Sequence, residues 1–141
     1  NLALMYQQGD GVDASADIAR SWFRKAAESG HAEAQFNLGV AYGKGEGVDV
    51  DEAESFKWYL KAARQGNENA KIIVGARYHQ GWGVDKDIIR GHAWLMLGTS
   101  ELSKQYMKYY AHKWTMTEKQ IEAAETLARK CATSNYQSCE D

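Results

Sequence analysis

Residues 32–67 read AEAQFNLGVAYGKGEGVDVDEAESFKWYLKAARQGN, and what this stretch shares with its flanks decides the fold. Trp58 recurs 36 residues away on either side, as Trp22 and Trp94. The same step links Tyr6, Tyr42 and Tyr78. It links Gly9, Gly45 and Gly81, then Gly11, Gly47 and Gly83, then Val12, Val48 and Val84. Ala26-Ala27 returns as Ala62-Ala63, Gly30 as Gly66, Ala34 as Ala70 and Gly39 as Gly75. So many positions aligned at one period mark a repeat array.

One unit reads as two helices. Ala34, Leu38, Ala41 and Tyr42 share a face of a first helix over 32–42, and Gly39 beside that face leaves room for another helix to approach. The glycines within 43–48 end it, because a tight helix–helix turn needs the positive φ that glycine adopts without strain. Asp51 is placed as the N-cap of a second helix, and Glu54 three residues on completes a capping box. Ser15 and Asp87 hold the same cap position in the flanking units. The second helix carries Phe56, Tyr59, Leu60 and Ala63, runs to Arg64 and ends at Gly66. Two short helices cannot bury their apolar faces alone, but stacked copies can. The expected class is therefore all-α, an α-solenoid of antiparallel helix pairs, with the aromatic at 22, 58 and 94 packed into the small residues of a neighbour.

Beyond residue 100 the repeat continues in disguise. A step of 36 from Ala70, Val74, Gly75 and Tyr78 reaches Tyr106, Tyr110, Ala111 and Trp114. This predicts a further helix over 102–114 with bulkier residues. Thr117 then caps a last helix, with Gln120 completing Thr-x-x-Gln and Ile121, Ala124, Leu127 and Ala128 as the buried stripe. Larger residues and a shortened turn befit a terminal capping unit. At the other end Asn1 aligns with Asn37, so the chain reads as opening inside a helix, as part of a longer array would.

Composition narrows the function classes. Among 141 residues, 17 basic against 19 acidic side chains give a net charge of −2, without the basic excess of a nucleic-acid binder. With 26% charged and 44% hydrophobic residues the chain is neither disordered nor membrane-spanning in type. Proline is absent, which favours helices over strands with their turns. No signal peptide or lipid anchor is visible.

The pattern Ala-x-x-x-Leu-Gly-x-x-Tyr-x-x-Gly-x-Gly-Val, then Asp, then Trp-Tyr/Phe-x-x-Ala-Ala-x-x-Gly, resembles the Sel-1-like repeat family. Unit 32–67 carries it most fully, in Ala34, Leu38, Gly39, Tyr42, Gly45, Gly47, Val48, Asp51, Trp58, Tyr59, Ala62, Ala63 and Gly66. The resemblance implies three repeats, at 1–31 (truncated at its start), 32–67 and 68–101, followed by a degenerate capping helix pair and tail at 102–141. In the third repeat Gly98-Thr99 replaces the usual Ala-Ala. The family is similar to tetratricopeptide arrays, which implies a right-handed superhelix used as a protein-interaction scaffold. Many bacterial members are exported.

By that analogy the concave groove is lined by a second stripe on the first helix of each unit. It comprises Glu33, Phe36, Asn37, Val40 and Lys44, and in the next unit Asn69, Ile72, Ile73, Ala76 and Gln80. Its mixture of apolar and amide groups suits an extended or helical peptide. The competing use is packing between adjacent helices, which must take some of Phe36 and Ile72. Trp82 stands between two turn glycines where the other units have Asp10 and Glu46, and is a candidate contact residue. Folding over a neighbouring turn is its other reading.

Some cysteine-rich bacterial relatives bridge each repeat by a Cys-x7-Cys disulfide. Cys131 and Cys139 have that spacing, once, and outside the family's register. Pairing would staple the tail to the last helix, adding on the order of 2–3 kcal/mol, and would imply an oxidising compartment, periplasmic or secreted. The alternative is two free thiols in a mobile tail.

Chemistry is sparse. The glycine clusters follow no strand and lack Gly-Lys-Ser/Thr, so they read as turns rather than phosphate loops. His31, His79, His92 and His112 show no ligand spacing, so no metal is expected, and nothing calls for a cofactor. A β-lactamase or penicillin-binding role has been attached to some cysteine-rich relatives, yet Ser21 and Ser55 lack a lysine three residues on. The expected function is a non-enzymatic scaffold binding a protein or peptide. The alternatives are a hydrolase of cell-wall or β-lactam type and a purely architectural segment.

Overall fold

The computed structural model describes residues 16–140. Within them the chain forms seven α-helices and no strand: α1 (Ala16–Glu28), α2 (Ala32–Lys44), α3 (Glu52–Arg64), α4 (Glu68–Gln80), α5 (Ile88–Leu97), α6 (Glu101–Lys113) and α7 (Glu118–Thr133). Consecutive helices from α1 to α6 pack against one another; α4 also touches α6, and α7 lies on α5. This is an α-solenoid of antiparallel helix pairs. Tyr6, Gly9, Gly11, Val12 and the Ser15 cap fall outside the described residues.

The helix ends show why the period is 36. The side chain of Asp51 accepts the Glu54 amide at 3.0 Å, and Asp87 accepts that of Arg90 at 2.9 Å. Asn67 and Ser100 cap α4 and α6 in the same manner. The reciprocal half of the expected box at Asp51 is not formed, because the Glu54 carboxylate turns to Lys57 at 3.7 Å. Thr117 and Gln120 do form a complete capping box. Helix α2 continues through Gly43 to Lys44, two residues past the expected end, and stops where Gly45 takes φ 74°. Gly81 repeats that stop with φ 70°. Each turn is closed by a matching bond, Asp51 N–H to the Tyr42 carbonyl and Asp87 N–H to that of Tyr78.

The core repeats with the chain. Phe23, Ala27, Ala34, Leu38 and Trp58 form one buried cluster. Moved by 36 residues, these positions become Tyr59, Ala63, Ala70, Val74 and Trp94, all members of the next cluster. Each indole is therefore buried with one alanine of the preceding unit and one of its own, large into small. Trp22 departs from the pattern and is 37% exposed, with the Lys25 ammonium 4.8 Å from its ring.

At the far end Leu95 and Tyr110 are buried with Ile72, and Tyr106 and Trp114 pack against them. Helix α7 lays Ala124 and Ala128 on Ala93. Cys131 and Cys139 are joined in a disulfide with Cα atoms 4.5 Å apart, and both belong to the cluster around Trp94. The tail thus returns across the array. Tyr136 stacks near Trp94 and its hydroxyl lies 3.1 Å from Lys71 Nζ. The Glu140 carboxylate takes hydrogen bonds from the Trp94 indole N–H and the Tyr78 hydroxyl, and its carbonyl accepts from Arg90 at 2.6 Å.

Candidate interaction surface

The first helices of the repeats, α2 and α4, and the matching α6 carry the residues expected to meet a partner. On α2, Glu33 is exposed and Asn37 half-buried. Both line a hollow beside Phe23 and Ala26 of α1. Phe36 and Val40 are half-buried against the central core, the Phe36 ring standing edge-on to Tyr59 at 5.4 Å. On α4, Asn69 is exposed, while Ile73 leans on the same core as Phe36 and Val40. Ile72, named in the expected stripe, takes the competing use, packing between helices. It is only 6% exposed and packs with Leu95 and Tyr110, because α6 covers that side of α4. Ala76 is half-buried against the same group. Glu33, Asn37, Asn69 and part of Ile73 are left open, with Phe36 and Val40 as their partly buried floor.

Trp82 is 53% exposed. The Arg77 guanidinium lies 5.3 Å from its ring and also bonds Glu52 Oε2 at 2.7 Å. The indole is thus tethered through a cation to the start of α3 in the preceding unit while about half of its surface faces outward.

The open side continues further than the expected stripe. Between the end of α4 and α6 lies a groove of about 500 Å³ lined by Gln80, Leu102, Gln105, Tyr106, Tyr109 and Tyr110. Leu102 and Tyr109 are about half exposed. Gln80 donates from Nε2 to the Tyr110 hydroxyl at 2.9 Å, and burial raises the Tyr110 phenol above its ordinary pKa, so it stays a neutral donor. A signal for this groove was present in the sequence, since a step of 36 takes Asn69 to Gln105 and Ile73 to Tyr109.

Beneath Tyr110 the imidazole of His79 is stacked at 4.3 Å and fully buried, with His92 at 6.1 Å. Burial first, then the neighbouring His92 and Lys86, push the His79 pKa down to about 4. These histidines act as packing groups beneath the groove. Among the described residues no three His, Cys, Asp or Glu side chains gather where they could share a metal ion.

An α-solenoid whose recurring residues build its core and its turns, while variable residues face out, is a helical repeat protein. The model of the Sel1 repeat matches at residues 1–31, 32–67 and 70–95, so the chain belongs to the Sel1 repeat family. Among solved structures it is similar to a Sel1 repeat protein from Oxalobacter formigenes, at 37% identity and a TM-score of 0.72, over 76% of this chain and 83% of that one. It is also similar to c5321, a protective antigen of uropathogenic Escherichia coli displaying an SLR fold, at 32% identity and a TM-score of 0.81. That match covers 99% of this chain and 30% of the antigen. No curated protein matches. The Sel1 repeat fold is in general a scaffold for protein–protein interaction. No helix among the described residues is long and apolar enough to cross a membrane.

Proposed function

We propose that this chain is a non-enzymatic scaffold whose first-helix face binds a protein or peptide partner, with 102–141 closing the array as a cap. One observation carries the reading. The residues that recur every 36 positions are spent mostly on the core and on the glycine turns, whereas Glu33, Asn37, Asn69, Gln105 and Tyr109 form an outward face of mixed amide and apolar character. Such a face offers hydrogen bonds and shape to an extended or helical segment. Trp82 supplies a further anchor at its edge. The buried Cys131–Cys139 bridge and the absence of a membrane-crossing helix among the described residues are compatible with a periplasmic or secreted bacterial setting, which we infer for it.

The test is affinity capture from the source cell with the wild-type chain and with an Asn37→Arg/Asn69→Arg variant. The partner taken by the wild type is lost with the variant. Capture that persists would make this face architectural, and turnover of a chromogenic β-lactam by the pure chain would make it a hydrolase.

A further inference from the structure

The groove between α4 and α6 differs from the rest of the outward face in its charge. Lys86, from the loop after α4, places its ammonium 3.1 Å from the centre of the Trp114 indole. Lys113, at the end of α6, brings a second ammonium 5.5 Å from the same ring and 5.4 Å from that of Tyr109. Two like charges thus converge on one aromatic group. Among the described residues neither forms an ion pair with a carboxylate. Of the two acids that flank Lys86 in the chain, the exposed Asp85 forms no ion pair with either lysine, and Asp87 is engaged elsewhere. Asp87 caps α5 and holds Arg90 at 3.0 Å. An indole face attracts each cation but does not neutralise it, so the pair presents a positive field at one end of the groove.

The groove itself is aromatic and amidic. Tyr109 and Leu102 form an exposed apolar wall, Tyr106 and Tyr110 the floor, and Gln80 and Gln105 the flanking hydrogen-bonding groups. We infer that this groove binds a linear acidic peptide segment of a partner protein. An aromatic or large aliphatic side chain of the peptide lies against Tyr106 and Tyr109, and an Asp or Glu side chain sits between Lys86 and Lys113. Aromatic rings give apolar contact at low entropic cost because tyrosine has few rotatable bonds to freeze. The lysines supply charge-assisted hydrogen bonds and fix the direction in which the segment lies. The inference rests on the scaffold reading above and adds to it the chemistry of the partner.

Fluorescence polarisation tests it. The probe is a short fluorescein-labelled peptide of alternating Phe and Glu, with blocked termini and the label held constant so that it differs in charge from its counterpart only at the Glu positions. Its counterpart has Gln in place of every Glu. The wild-type chain binds the Glu peptide about tenfold tighter than the Gln peptide, and the gap narrows as salt is raised. Lys86→Glu/Lys113→Glu removes the gap, and Tyr109→Ala weakens both peptides. All three residues are exposed, so unchanged circular dichroism checks that the variants fold. Equal affinity for the two peptides, binding of neither, or a gap that survives the charge reversal overturns the inference. The scaffold reading fails separately. A partner captured by the wild type, lost with Asn37→Arg/Asn69→Arg and kept with Lys86→Glu/Lys113→Glu, leaves the scaffold standing and removes the acidic peptide.

Discussion

Trp94 is 1% exposed, and its indole joins the repeat core to the returning tail through Tyr136 and Glu140. Truncating it opens a void among side chains that come from three directions, so the site cannot collapse readily. Trp94→Ala is expected to destabilise the chain by about 3–5 kcal/mol, measured by urea unfolding. Trp22→Ala, at an exposed position of the same register, should cost far less. The buried histidines give a second prediction at this scale. Burial holds both His79 and His92 below their ordinary value of 6.5, His79 to about 4. The facing charges are Lys86 and Asp87 beside His79 and Glu125 beside His92. Folding thus favours the neutral rings. Above pH 6.5 their contribution is complete; as pH falls from 6.5 toward about 4 the unfolded chain takes up protons first and stability drops. Urea midpoints measured across that window should fall with acid, and a His79→Phe variant should show a shallower fall.

At the level of the helix pair, close approach sets the geometry. A Cβ added at Gly75 would come 2.7 Å from Leu95 Cγ and 2.9 Å from the Gly91 carbonyl. The second neighbour is backbone and cannot rotate away, so α4 and α5 would have to part. Gly75→Ala is expected to cost about 1–3 kcal/mol despite the better helix propensity of alanine, as read from chemical denaturation. The buried hydroxyls of Ser55 and Ser103, each 2.6 Å from a carbonyl of the facing helix, hold neighbouring elements in the same way. The last element is held covalently. Reducing Cys131–Cys139 should lower stability by about 2–3 kcal/mol and raise hydrogen exchange at 134–140, while exchange in α2 and α3 stays unchanged.

Over the whole molecule, the period made most of the architecture legible. The helix pairs, the caps at Asp51 and Asp87, and the large-into-small packing of Trp58 and Trp94 follow from positions 36 residues apart, while the Thr117 cap was legible from its Thr-x-x-Gln motif. What did not repeat was harder to read. The contacts of Lys71 with Tyr136 and of Arg90 with Glu140 join residues far apart in the chain, and each occurs once. For Ile72 the sequence leaves both groove and helix packing open, because a helix in an array has two covered sides and a single unit does not tell which neighbour covers the second; packing takes it. The tyrosine groove was half hidden. Gln105 and Tyr109 lie in register with Asn69 and Ile73, but the bulk of Tyr106 and Tyr110 made α6 look like a capping helix alone.

A site-by-site photo-crosslinking map of the captured partner probes the outward face most directly. A photoactivatable residue is placed in turn at Asn37, Asn69 and Tyr109, and at the exposed positions Lys57 on α3 and Glu122 on α7. Crosslinks to the partner from Asn37, Asn69 and Tyr109, with none from Lys57 or Glu122, are the predicted result. Crosslinks from Lys57 or Glu122 with none from the first-helix face would contradict it.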